Sequence, residues 1–104
     1  MAQMNMQKMM QEARKMQEEV ARAQEEVMLL EAEGSAGGGV VKAVASGDGR
    51  IKKITIDPDA VDPDDVEMLE DLTITAVNDA LNSVGELAQM RMEAATGGFS
   101  LPGM

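Results

Sequence analysis

The stretch DPDAVDPDDVEMLEDL at 57–72 places eight acids in sixteen positions without a base, a density of carboxylates that could serve a calcium loop. Such a loop takes oxygen ligands at positions 1, 3 and 5, glycine at 6 and glutamate at 12. No register fits. A start at Asp57 puts Val61 at 5, Asp62 at 6 and Met68 at 12, and a start at Asp62 puts Val66 at 5 and Thr73 at 12. The same residues suit helix initiation: Asp62 caps orphan amides, Pro63 takes the first helical position, and Asp64, Asp65 and Glu67 face the positive end of the dipole. Met4-x-Met6 and Met90-x-Met92 have a spacing open to copper(I), but the chain has no Cys or His to complete a soft site. Methionine at helical spacing is better used as adaptable packing. Without Cys or His there is also no thiolate, imidazole base, disulfide or usual zinc site. The sole aromatic, Phe99, provides no platform for stacking bases. The expectation is a protein that is not an enzyme, with no cofactor, no metal and no small-molecule substrate.

Charge is the next resource. The net charge of −10 is uneven: residues 1–53 hold eight bases and eight acids, and residues 54–104 hold eleven acids and Arg91 alone. A phosphate-bearing partner must therefore meet the first half, because such contacts need local Lys and Arg. In heptad terms Lys8, Lys15 and Arg22 fall at one position and Glu12, Glu19, Glu26 and Glu33 at a neighbouring one. The resulting stripe of alternating sign can be a self-satisfied solvent face, each pair contributing roughly 0.2–0.5 kcal/mol, or a face that exchanges those weak pairs for phosphate. A second basic group, Lys42, Arg50, Lys52 and Lys53, lies in a strand-like region whose alternation separates Arg50 and Lys52 from Lys53. It is equally a charged guard on a sheet edge.

These groups must be carried by a small number of elements. From Met4 to about Glu33 there is no Gly or Pro, and Met9, Ala13, Met16, Val20, Ala23, Val27 and Leu30 recur at steps of four and three, the seam of a long helix. Glycines at 34–39 and the Gly47-Asp48-Gly49 turn bracket two β-branched runs, predicting strands near 40–46 and 50–57, with a third short strand around 32–36. A second helix is expected from Asp62 to about Ala95, closed by Gly97 and Gly98. The fold class is α+β: one α-β-β-β-α domain over 1–95, followed by a loose Gly/Pro-containing tail over 96–104. Two helices of about 45–50 Å outreach any compact 100-residue core, whose radius of gyration is near 13 Å, so a homodimer closing over the sheet is expected. No run approaches the ~18 apolar residues of a membrane span, and the N-terminus MAQMNMQKMM lacks a charged leader with an apolar run. The expected location is cytoplasmic, with no membrane partner.

Taken together, MNMQKMM at 4–10, EGSAGGGVVK at 33–42, IDPDAVDPDDVEMLEDL at 56–72, AVNDAL at 76–81 and the closing TGGFSLPGM resemble the YbaB/EbfC family of bacterial nucleoid-associated proteins over nearly the whole chain. That resemblance implies helix, small antiparallel sheet, helix, a homodimer with protruding helices like tweezers, and double-stranded DNA as partner at the nucleoid. It implies that the helical arms carry the contacts, which selects Lys8, Arg14, Lys15 and Arg22 on the first helix and Arg91 on the second. With few exposed bases and no base-reading cluster, binding is expected to be weak and sequence-tolerant. From another class, a coiled-coil adaptor or chaperone-like module would bind protein through the Met-rich seam.

Overall fold

The computed structural model describes residues 5–97. The proposed tail from residue 98 onward and the N-terminal Met4 lie outside them. Helix α1 (Met6–Leu29) starts where Asn5 accepts a hydrogen bond from the Gln7 amide at 3.0 Å. Strong helix formers carry it onward. Its last residue is Leu29, four before the expected end near Glu33, and the backbone of Leu30 is already extended. Leu30 to Glu33 are good helix formers, so no local signal breaks the helix. The chain gains instead a strand, β1 (Glu31–Ala36), paired antiparallel with β2 (Val41–Ser46) from Glu31 opposite Ser46 to Ala36 opposite Val41. Three successive glycines with positive φ, Gly37, Gly38 and Gly39, make the turn between them, a conformation that side chains rarely tolerate.

Strand β3 (Ile51–Ile56) completes a three-stranded antiparallel sheet in the order β1-β2-β3. Val44 pairs with Lys53 and Ala45 with Ile51, so Lys52 is the extra residue of a bulge. The bulge puts Lys53 on the same face as Lys42 and leaves Lys52 out of register.

After β3 the motif Asp-Pro-Asp occurs twice, the first copy as a 3-10 turn at Pro58–Ala60 and the second as a plain turn, and both begin with the same bond. Asp57 accepts from the Asp59 amide and Asp62 from the Asp64 amide, both at 2.9 Å. The second copy corrects the expected helix start: residues 62–65 form a turn closed by Asp65 N–H to the Asp62 carbonyl at 3.0 Å, and Pro63 lies in that turn. Helix α2 (Val66–Ala95) begins one step later, with Asp65 as the cap accepting from the Met68 amide at 3.2 Å. Each proline is preceded by an Asp whose carboxylate bonds two residues on, so the motif makes a local turn before any helix can form.

Helix α2 lies over β1 and β2. Ala36, Val41, Ala43 and Ala45 of the sheet meet Ala76, Ala80 and Val84 of the helix, and Val41 is the largest fully buried side chain. Small residues bring the layers unusually close: a Cβ on Gly34 would sit 2.1 Å from the Ala80 amide nitrogen and 2.5 Å from the Ala76 carbonyl oxygen. The Asp79 carboxylate accepts from the Ser35 amide of β1 at 3.0 Å, placing that flank of α2 over the β1 edge. On this same face the β3 edge is left uncovered, with Ile54, opposite Ala43, 44% exposed and Ile56, opposite Val41, 37% exposed. Past the sheet, α2 packs against the second half of α1. The molecule is 77 Å long with a radius of gyration of 20.5 Å, far from the ~13 Å of a compact chain of this length.

Candidate nucleic-acid interface

The seam of α1 is used in two ways. Its second half, Val20, Ala23, Val27 and Leu30, is buried or half-buried against the body, whereas Met9 and Met16 are 46% and 48% exposed and Ala13 is also exposed. Residues 6–19 are exposed throughout, giving a free arm of about 20 Å at 1.5 Å per residue. The root of the arm is fixed at the hairpin, where the Gly47 amide donates to the Leu30 carbonyl at 2.8 Å.

Lys8, Arg14 and Lys15 lie on this arm, all exposed. Lys8, Lys15 and Arg22 follow one another at seven residues, about 10.5 Å of rise. That is close to three steps of 3.4 Å along a DNA strand. The expected ladder of pairs along the helix does not close: among the described residues the ion pairs within 4 Å are Arg91–Glu26 and Arg50–Asp48. Bases on the arm therefore point to solvent without a bound acid.

Arg22 and Arg91 are brought together instead at the arm's root, lining a shallow cleft with Glu19, Ala94 and Ala95. The Arg91 guanidinium donates through Nε to a Glu26 carboxylate oxygen. That bond and the attraction between the charges hold the Glu26 carboxyl below its ordinary range and raise Arg91. Sequence reasoning paired Glu26 with Arg22, one turn away. Its partner is 65 residues distant, and no spacing rule reaches that far. The structure thus separates the five expected residues into three on the arm and two at its root.

The second basic group is dispersed. Lys42 and Lys53 share the sheet face turned away from α2, by register with Thr55 and Val44, and Arg50 lies 3.8 Å from Asp48 in the turn. Asp48 also accepts from the Ser46 hydroxyl, the main reason its carboxyl is held low, with Arg50 adding to it. Among the described residues no group of three or more acids, His or Cys could hold a metal ion, and no helix is long and apolar enough to cross a membrane.

Residues 1–99 match the YbaB/EbfC DNA-binding family. The chain belongs to that family. A nucleoid-associated protein of Desulforamulus reducens is 56% identical over 100 residues, covering 96% of this chain and 95% of its own. One of Staphylococcus carnosus is 55% identical with the same coverage. Among solved structures, the crystal structure of the uncharacterized protein HP0035 from Helicobacter pylori superposes with a TM-score of 0.64 at 22% identity, over 85% of this chain and 92% of that one. This last likeness concerns the fold. For a YbaB/EbfC member, the helix-sheet-helix order and the three-stranded antiparallel sheet are as the sequence predicts.

Proposed function

We propose that this YbaB/EbfC member binds duplex DNA as a homodimer at the bacterial nucleoid, weakly and with little sequence preference, through Lys8, Arg14, Lys15 and Arg22. The observation that carries the reading is the arm itself: its bases are exposed and no acid lies within 4 Å of them. Phosphate contact then costs no broken ion pair. Four bases spread along one helix supply positioning contacts but no pattern for reading base edges. The net charge of −10 opposes approach of the body and keeps affinity low.

The dimer is supported by what the single chain leaves uncovered. Ile74, Val77 and Leu81, at steps of three and four, lie on the flank of α2 opposite Asp79 and toward β3. Val77 and Leu81 are half-buried against the core, whereas Ile74 beside them, and Ile54 and Ile56 on β3, are 58%, 44% and 37% exposed. A core whose largest fully buried side chain is a valine gains much from burying those isoleucines against a second copy. The exposed Met6, Met9, Met10 and Met16 of the arm favour a second reading, an adaptor that takes protein partners on a Met-rich helix.

Titration of a labelled duplex at several salt concentrations tests the first reading. The slope of log K on log salt should be negative, about 0.9 for each phosphate neutralised. Binding that ignores salt, or its absence at low salt, refutes it and leaves the adaptor. Sedimentation should give twice the 11.1 kDa chain mass, and Ile54→Lys should give the monomer.

A further inference from the structure

We infer that Arg91 serves DNA binding as a positioning residue, bracing the α1 arm through Glu26, and that it does not itself meet phosphate. The inference rests on the DNA-binding reading above and assigns the cleft at the arm's root a role within it.

The placement argues for a brace. Glu26 is on the half of α1 whose seam is buried or half-buried against the body, and Arg91 is one turn before α2 ends at Ala95. Around them the helices touch through small residues: Ala23 is fully buried, Ala95 is 7% exposed, and Ala94 lines the cleft. Alanines permit close approach but give little grip against rotation. The guanidinium-carboxylate bond is the directional contact there, and it joins segments 65 residues apart.

The surroundings argue against a phosphate contact. The Arg91 side chain is 32% exposed. Glu26 holds it directly, and Glu19 adds a second negative field. A guanidinium bonded to one carboxylate and in the field of another offers a phosphate little net positive charge. Arg22, across the cleft, is exposed and, although its charge also lowers the Glu26 carboxyl, has no acid within 4 Å among the described residues.

The two roles differ in the sign of one substitution. If Arg91 is a phosphate contact restrained by Glu26, then Glu26→Gln frees it and tightens duplex binding. If it is a brace, Glu26→Gln loosens the arm and weakens binding by more than the loss of one negative charge strengthens it. Full-length Glu26→Gln, Arg91→Gln and the double variant should be titrated with a labelled duplex of arbitrary sequence across salt. Each single variant should lose affinity severalfold, the double variant should be no weaker than either single one, and the salt slope should match the parent's. Tighter binding by Glu26→Gln, or a slope reduced by about 0.9 in Arg91→Gln, overturns the inference. Because the chain has no cysteine, spin labels at Gln11→Cys and Gln89→Cys report the arm directly. Their distance distribution should broaden in both Gln variants, and an unchanged distribution refutes the brace even if DNA binding itself fails. A parent protein that ignores duplex while its variants loosen would keep the brace and remove only its DNA role.

Discussion

The contact between β1 and α2 can be tested with one substitution made at two glycines. A Cβ on Gly34 would meet three backbone atoms of α2, at 2.1, 2.5 and 2.7 Å, where ordinary contact is 3.4–4 Å. No rotamer change relieves a clash with backbone, so α2 must retreat by more than about 1 Å, opening gaps along Ala43, Ala76 and Ala80. Overpacking usually costs roughly 1–3 kcal/mol. Gly34→Ala belongs at or above the upper end, because its neighbours cannot yield. At roughly 4–8 °C per kcal/mol for a domain this size, the melting midpoint should fall by more than about 12 °C, or the chain should fail to fold. Gly85, in the middle of α2, has nothing within 4 Å of its Cβ position. There the same change removes a helix-interior glycine and should add up to about 1 kcal/mol, raising the midpoint by several degrees. Thermal melts at matched protein concentration measure both. Gly34→Ala melting with the parent would falsify the close approach, and Gly85→Ala melting well below it would mean that this flank is covered in the assembly.

Asp65→Ala should cost about 0.5–2 kcal/mol as loss of a helix cap, and Asp62→Ala less, in denaturant titrations. The reverse order would return the helix start to Asp62. Glu12→Gln with Glu19→Gln removes two negative charges from the arm and its root and leaves the brace intact. Duplex binding should tighten at low salt with an unchanged salt slope, and no change would make the arm stripe a solvated face. The Glu26 carboxyl is held below its ordinary 4.5, so its contribution is fully present above that value and drains away as pH falls through the lowered one. The difference in melting midpoint between the parent and Arg91→Gln should therefore shrink as pH is taken below about 4.5, and a constant difference would detach the pair from stability.

Much of this architecture is legible because its signals are local. The strands expected at 40–46 and 50–57 are found at Val41–Ser46 and Ile51–Ile56, bracketed by glycine turns that no other residue replaces easily. The end of α1 is not legible, since Leu30 to Glu33 would extend a helix as readily as a strand and only pairing with β2 decides. The start of α2 misleads for the opposite reason, a strong Asp-Pro signal that marks a turn in both of its copies. At the site, the exposure of Lys8, Arg14 and Lys15 follows from a seam too long for its partner. The Arg91–Glu26 contact depends on where α2 lands after crossing the sheet, which is written in no window of the sequence.

Helix α2 crosses the sheet at Ala76 and Ala80 and ends at Ala95, about 22 Å further on at 1.5 Å per residue. It therefore behaves as a lever with its bearing near the middle. A tilt of roughly 10° at the bearing would carry the far end through about 4 Å, most of the ~6 Å width of a minor groove. Flexible side chains at the crossing would give such a bearing play, since each rotamer permits a slightly different seat. Backbone resting on backbone has no rotamers to exchange. The alanines and the glycine at the crossing bury little surface, but they set the angular tolerance with which the molecule holds its arm.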